Sequence, residues 1–389
     1  MTAEQGDHTR CHCHYHPDLI VVRRGEEGPV ISNLGLEENR ILDGGGLCRY
    51  LDGLDQSDIG PIVERIAVIK VDDDAHQVAN DLGLAGIEAS PVHGVGYMGH
   101  SGFRGDRFAP VDRSHPEVPP GEGPVIAMVD SGLAPDEDVP SWLNESVECE
   151  RPQDTEILTQ KHPVSHGTFV ASVIRRVAPD HRLSLASARP DPGFLKSSED
   201  DHVAGTAPQP TDELNVFGAI VRLVERHRED KVDALNLSLG AHECPDGGVF
   251  LLAMRIALEY WQENFDGCQL FAAGGNSDCE EPLYPAAWSD LGIRAVGAAT
   301  DGGDTIVWRN GSDVPAPDRN WINDWAPGQH IGGLSGVSPD DVIAWSGSSF
   351  ACAVAAAASV HGVHSTTAGP ETWWTDQSVD YRSIPGLLF

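Results

Sequence analysis

The sequence predicts an α/β chain in which a mainly parallel sheet, flanked by helices, follows a small N-terminal α+β unit. Three observations carry this. From residue 123 onward, short β-branched runs alternate with longer stretches of helical period, the pattern of a parallel sheet covered on both faces. The first hundred residues have their own strand, helix, strand order. Between the two lies SGFRGDRFAPVDRSHPEVPPGEG, rich in Gly, Pro and charge and poor in periodic apolar residues, which reads as a linker. The predicted division is 1–100, 101–122 and 123–389.

In the first unit LIVVRR (19–24) and IAVIKV (66–71) are β-branched runs that predict strands. The helix predicted in DDDAHQVANDLGLAG has acids where the positive dipole end favours them. Val78, Leu82 and Leu84 form its apolar face, and Gly86 is its stop. IEASPVHGV predicts an edge strand, because Pro91 has no N–H for a ladder. In the second unit PVIAMVD, RLSLASA, VDALNLSLG, QLFAAGG and RAVGAAT are predicted strands. HGTFVASVIRRVA, TDELNVFGAIVRLVERHRED and VFLLAMRIALEYWQEN are predicted helices, the second with acids at its start and bases near its end. Residues 190–210 form a polar excursion with Pro and Gly.

The 389 residues include 26 basic and 60 acidic side chains, a formal charge of −34 spread along the chain. A surface of that sign repels phosphates, which argues against nucleic acid as a partner and favours cationic ligands. No apolar run reaches membrane-spanning length, so no membrane partner is expected. The N-terminus lacks the basic start and apolar stretch of a secretory signal, which predicts a cytoplasmic chain. Eight cysteines without framework spacing suit that compartment. His8, Cys11, Cys13 and His16 are zinc-ligand types, but a His-rich terminus is commonly unstructured, and no metal is assigned. No cofactor is expected, and the sequence leaves structural calcium open.

Functional groups in such sheets gather beyond the carboxyl ends of the strands. Asp130 stands there after VIAMV, and Asn276 after QLFAAGG; His166 opens a helix, preceded by Ser165. Near the C-terminus AWSGSSFACAVAAAA sets Ser346, Ser348 and Ser349 at the mouth of an alanine-rich helix. Taken alone, these serines read as helix caps. Together the four motifs supply an acid, a base, an oxyanion donor and a nucleophile, the set that acyl transfer needs.

On these motifs residues 123–365 resemble the subtilisin-like serine proteases, and the resemblance implies their three-layer fold. Asp130-Ser131-Gly132 matches the family's Asp motif, and His166 to Ala171 its His-Gly-Thr-x-Val-Ala. Tyr284 to Ala286 and Ala326 to Gly328 match further segments, and Gly347-Ser348-Ser349-Phe350-Ala351 matches Gly-Thr-Ser-Met-Ala. The resemblance implies Ser349 as nucleophile, His166 as base, Asp130 as its orienting acid and Asn276 as oxyanion donor. Ser348 is then part of the turn and cap, and Ser346 part of the rim. Ser238, Leu239, Gly240, Ala273 and Gly274 match segments flanking the first specificity pocket. Asp278, Glu280 and Glu281 close by suggest a basic side chain in that pocket, although acids on such a loop also read as solvated surface. Three departures stand out: Phe350 for Met, Ala353 for Pro and Ser172 for Gly. Cys352 reads as a small buried residue and not as a rival nucleophile.

The implied function is a serine endopeptidase acting on polypeptides, with room for a regulatory protein partner. A peptide-maturing acyl transferase with the same triad, or a catalytically silent binding module, is the alternative. An α/β-hydrolase is disfavoured, because its chain order of Ser, acid, His differs from the Asp, His, Ser found here. The strand, helix and strand from Ile66 to Val95 resemble the second half of a subtilase propeptide, which implies that Val92 to His100 occupies the substrate cleft.

Overall fold

The computed structural model describes residues 15–35, 40–42, 61–97, 109–110, 121–149, 165–188, 211–242, 250–277, 281–300, 303–309, 312–315 and 320–360. Its N-terminal unit runs β1 (Tyr15–Arg23), α1 (Glu27–Leu34), β2 (Ile41–Leu42), β3 (Ile66–Lys70), α2 (Ala75–Leu84) and β4 (Ala89–Tyr97). Antiparallel pairing sets Val21 of β1 opposite Val68 of β3 and Ser90 of β4. The side-chain period of two then sorts the apolar residues to two faces. Ile20, Val22, Ala67 and Ile69 meet Ala75, Val78 and Leu82 of α2. Leu19, Val21, Ile66 and Val68 point the other way and join the core of the large unit. Helix α2 starts where the Asp74 carboxylate accepts the Gln77 N–H at 3.0 Å, an N-cap that satisfies one of the free donors of the first turn. The helix ends before Gly86, at φ +81°.

The chain continues through β5 (Ala109–Pro110), β6 (Val125–Asp130), α3 (Ser141–Ser146), β7 (Val147–Cys149), α4 (His166–Val177), β8 (Arg182–Ser187), β9 (Thr211–Asp212) and α5 (Glu213–His227). There follow β10 (Val232–Leu237), β11 (Leu239–His242), α6 (Leu252–Asn264), β12 (Gln269–Ala273), β13 (Leu283–Tyr284) and β14 (Arg294–Ala299). The last elements are β15 (Thr305–Arg309), β16 (Ser312–Pro315), β17 (Asp324–Pro327), β18 (Ile331–Leu334), β19 (Val342–Trp345) and α7 (Ser348–Ser359). Strands β7, β8, β6, β10, β12 and β14 pair in that order, all parallel, and β15 and β16 extend the sheet antiparallel.

The three layers follow from the same period of two. In β6, Val125, Ala127 and Val129 face the core shared with α5 and α6, whereas Ile126 and Met128 face the one shared with α4 and α7. A strand buried on both faces must be apolar throughout, and β6 is, until Asp130. Among the described residues no helix is long and apolar enough to cross a membrane.

Two local expectations are corrected. Thr211 and Asp212, expected to begin a helix, form β9, and the helix starts at Glu213. β4 is not an edge strand along its whole length: Gly94 and Val95 pair with β9, and Gly96 and Tyr97 with β11. Within the segment expected as a linker, Ala109 and Pro110 pair with Ala344 and Ile343 of β19. His8, Cys11 and Cys13 lie outside the described residues, while His16 belongs to β1.

Candidate active site

Asp130 closes β6 with no exposed surface, and its Oδ1 accepts the Ser131 N–H at 2.7 Å. The same oxygen lies 2.7 Å from His166 Nδ1, which donates to it when that nitrogen carries the proton. A charge-assisted bond of this length between buried groups fixes both the tautomer and the ring plane. His166 is the first residue of α4, capped by Ser165, whose hydroxyl accepts the Thr168 N–H. Gly167 lets this helix approach the turn after β6: a Cβ there would lie 2.3 Å from the Gly132 carbonyl oxygen. The Trp345 and Phe350 rings stand 5.8 and 5.7 Å from the His166 ring.

Ser349 lies fully buried in the first turn of α7. Its hydroxyl donates to the Ser238 carbonyl at 3.1 Å, and the Ser238 hydroxyl donates to the Ser349 carbonyl at 2.9 Å. Asn236 supports the exchange by donating to Ser238 Oγ at 2.9 Å.

Asn276 follows β12 after Gly275, whose φ of +96° turns the chain. The Asn276 side-chain oxygen accepts the Ser348 N–H at 2.7 Å, and the Gly275 N–H donates to Ser348 Oγ at 3.1 Å. Ser348 therefore anchors the Asn276 loop, a role different from the helix cap expected of it; the cap position is Gly347. Ser346 accepts the backbone N–H of His330, which sits at a strained φ of +52°.

Of the other expected residues, Leu239 and Gly240 pair with Tyr97 and Gly96, so the N-terminal unit's own strand lies along them. Gly240 is close against β13, where a Cβ would meet the Tyr284 carbonyl oxygen at 2.6 Å. Ala273 is buried at the end of β12, and Gly274 donates to the Val296 carbonyl at 2.8 Å. Asp278 and Glu280 lie outside the described residues. Sequence reasoning read Thr211, Asp212 and Glu213 only as a helix start and did not foresee that they meet β4 from the α5 side.

A family model for subtilases matches residues 121–377, well over half of the chain. The chain is a subtilase. Fervidolysin from Fervidobacterium pennivorans, a keratinolytic enzyme related to subtilisin, has a similar fold at a TM-score of 0.51 and 14% identity, over 90% of this chain and 55% of that one. The prenylagaramide maturation protease PagA is 22% identical over 61% of this chain and 76% of its own, at a TM-score of 0.42. The patellamide maturation protease PatA is 21% identical over 62% and 78%, at 0.41. No curated protein matches the chain.

The subtilase's three departures from the motif are absorbed by packing. Phe350 is fully buried, with its ring 4.5 Å from that of Phe169. Ser172 donates to the Phe169 carbonyl and accepts the Leu334 N–H, which ties α4 to β18. Ala353 is buried within α7. Burial pushes the Cys352 thiol far above its ordinary range, which keeps it protonated.

Proposed function

We propose that this subtilase is a serine endopeptidase whose triad is Asp130, His166 and Ser349, and whose cleft is filled by residues 94–97 of its own N-terminal unit. The observation that carries the proposal is the 2.7 Å contact between His166 Nδ1 and Asp130, two buried side chains from different elements. With its proton on Nδ1, His166 presents Nε2 as an acceptor. Catalysis then requires the Ser349 hydroxyl to turn from the Ser238 carbonyl toward His166.

As Ser349 Oγ bonds to the scissile carbonyl carbon, its proton passes to His166 Nε2, and Asp130 stabilises the imidazolium. The carbonyl oxygen becomes an oxyanion, which the Asn276 amide N–H and the Ser349 backbone N–H receive. His166 then protonates the departing amine. In the second half it takes a proton from water, which attacks the acyl-enzyme, and returns that proton to Ser349.

The pairing of β4 with β9 and β11 supports a self-inhibited resting form, since an extended peptide substrate needs those same strand edges. Activation follows from cleavage after Tyr97 or before Gly123. Residues 15–97 thus act as an inhibitory segment and, because parallel sheets form slowly, as a folding template. A fluorophosphonate probe tests the assignment. Wild type should be labelled at Ser349, Ser346→Ala and Ser348→Ala should keep labelling, and Ser349→Ala should lose it; labelling of the last variant would refute the nucleophile.

A further inference from the structure

Glu213, the first residue of α5, is a carboxylate with no exposed surface. Its Oε1 accepts the backbone N–H of His93 in β4 at 2.9 Å, and its Oε2 accepts the N–H of Ala253 in the first turn of α6 at 2.9 Å. The His93 ring is 2% exposed, with Nδ1 3.5 Å from the same Oε1 and 3.3 Å from Ser90 Oγ. Its other flank is Phe250, whose ring centre is 4.3 Å away in an edge-to-face arrangement. Glu213 and Phe250 both belong to the large unit, so the receptor for His93 lies outside the N-terminal unit that supplies it.

From these contacts we infer that Glu213 and Phe250 form a distal substrate subsite that selects a basic side chain four residues before the position of Tyr97. This rests on the protease reading. A substrate that takes the β4 register along Thr211, Asp212, Leu239 and Gly240 brings a backbone N–H to Glu213 Oε1, and its side chain enters the slot now filled by His93. A buried carboxylate is costly unless hydrogen bonds and opposite charge compensate it. Histidine, arginine or lysine supplies that compensation, and the Phe250 face accommodates a cation. Leucine removes it, and glutamate sets a second carboxylate about one hydrogen-bond length from the first, a repulsive element that sharpens selection. The chain's formal charge of −34 draws cationic peptides toward the same cleft.

The test compares quenched-fluorescence peptides with the sequence of residues 89–100, carrying His, Arg, Leu or Glu at the place of His93, on the purified full chain. Ratios of kcat/KM between peptides do not depend on the fraction of enzyme still occluded by β4. The His and Arg peptides should exceed Leu by about 10-fold and Glu by more, the worth of a hydrogen bond to a charged group. Glu213→Gln should shrink the preference to roughly 2-fold, because the amide keeps an acceptor but loses the charge. Equal turnover of His, Arg and Leu peptides, or a preference unchanged in Glu213→Gln, overturns the subsite.

A second arm needs no catalysis. In the Ser349→Ala chain, amide hydrogen exchange at residues 94–97 should be slow with His or Arg at position 93, faster with His93→Leu and fastest with His93→Glu. Identical exchange in the Arg and Glu variants overturns the subsite. If no peptide is cleaved and the fluorophosphonate does not label wild type, the protease reading fails, and the exchange order alone decides whether Glu213 selects a basic residue.

Discussion

His166 Nδ1 stands 2.7 Å from Asp130 Oδ1, and the two residues are 2% and 0% exposed. Water cannot replace this partner, so the orientation of the imidazole depends on the carboxylate. Asp130→Asn keeps the volume but offers a donor or a neutral acceptor and favours the wrong tautomer. We expect kcat to fall by about 10⁴-fold with the fold intact by circular dichroism. A folded variant within tenfold of wild type would show that His166 is oriented by another group.

The Asn276 amide is held through its oxygen by the Ser348 N–H. Asn276→Ala should lower kcat by about 10²–10³-fold with KM much less affected; this is the worth of the equivalent donor in subtilisin, the family's namesake. Ser348→Ala, which removes only the acceptor for Gly275 N–H, should cost far less. Comparable losses in the two variants would mean that the loop's position, and not the amide donor, carries the effect.

How far the placement of these residues could be read in advance differs from one to the next. The positions of Asp130, His166, Asn276 and Ser349 in the fold are legible because each sits at a strand end or helix start that its neighbours in sequence define. Thr211 and Asp212 are not, since a two-residue strand exists only through its partner, β4, more than a hundred positions away. The same holds for Ser348. Locally it is a good cap residue, but its hydroxyl is taken by Gly275, 73 residues earlier. Pro91 marked an edge correctly only for a chain that ends there; three residues on, at Gly94, β4 pairs with β9, and from Gly96 it pairs with β11.

Gly167→Ala should damage both stability and activity. The added methyl would stand 2.3 Å from the Gly132 oxygen, a backbone atom that cannot swing aside, so α4 must shift and carry His166 with it. Overpacking of this kind costs about 1–3 kcal/mol. Urea unfolding and kcat should fall together; unchanged stability would mean that the turn after β6 yields freely.

At the far end of the sheet Asp230 accepts from His227 Nδ1 at 2.8 Å and from Arg182 at 2.7 Å. Hydrogen bonding from His227 is the largest cause that holds its carboxyl below the usual range; burial opposes it as the next largest, and the Arg182 bond adds to the lowering. A carboxyl lowered on folding stabilises the protein above its unfolded value, near pH 4, and that contribution disappears as the pH falls through the depressed folded value. Asp230→Asn should therefore lower the thermal midpoint at pH 7 and narrow the gap to wild type as the pH falls below 4. A gap independent of pH would remove Asp230 from the account.

If Ser349 is the nucleophile of a protease held closed by its own β4, intact mass measurement of purified wild type beside Ser349→Ala will separate the two chains. Wild type should be cleaved after Tyr97 or within the segment before Gly123, and the Ser349→Ala chain should stay full length. A wild-type chain that stays full length and fully active with residues 1–100 attached, or a Ser349→Ala chain processed like wild type, would contradict this reading.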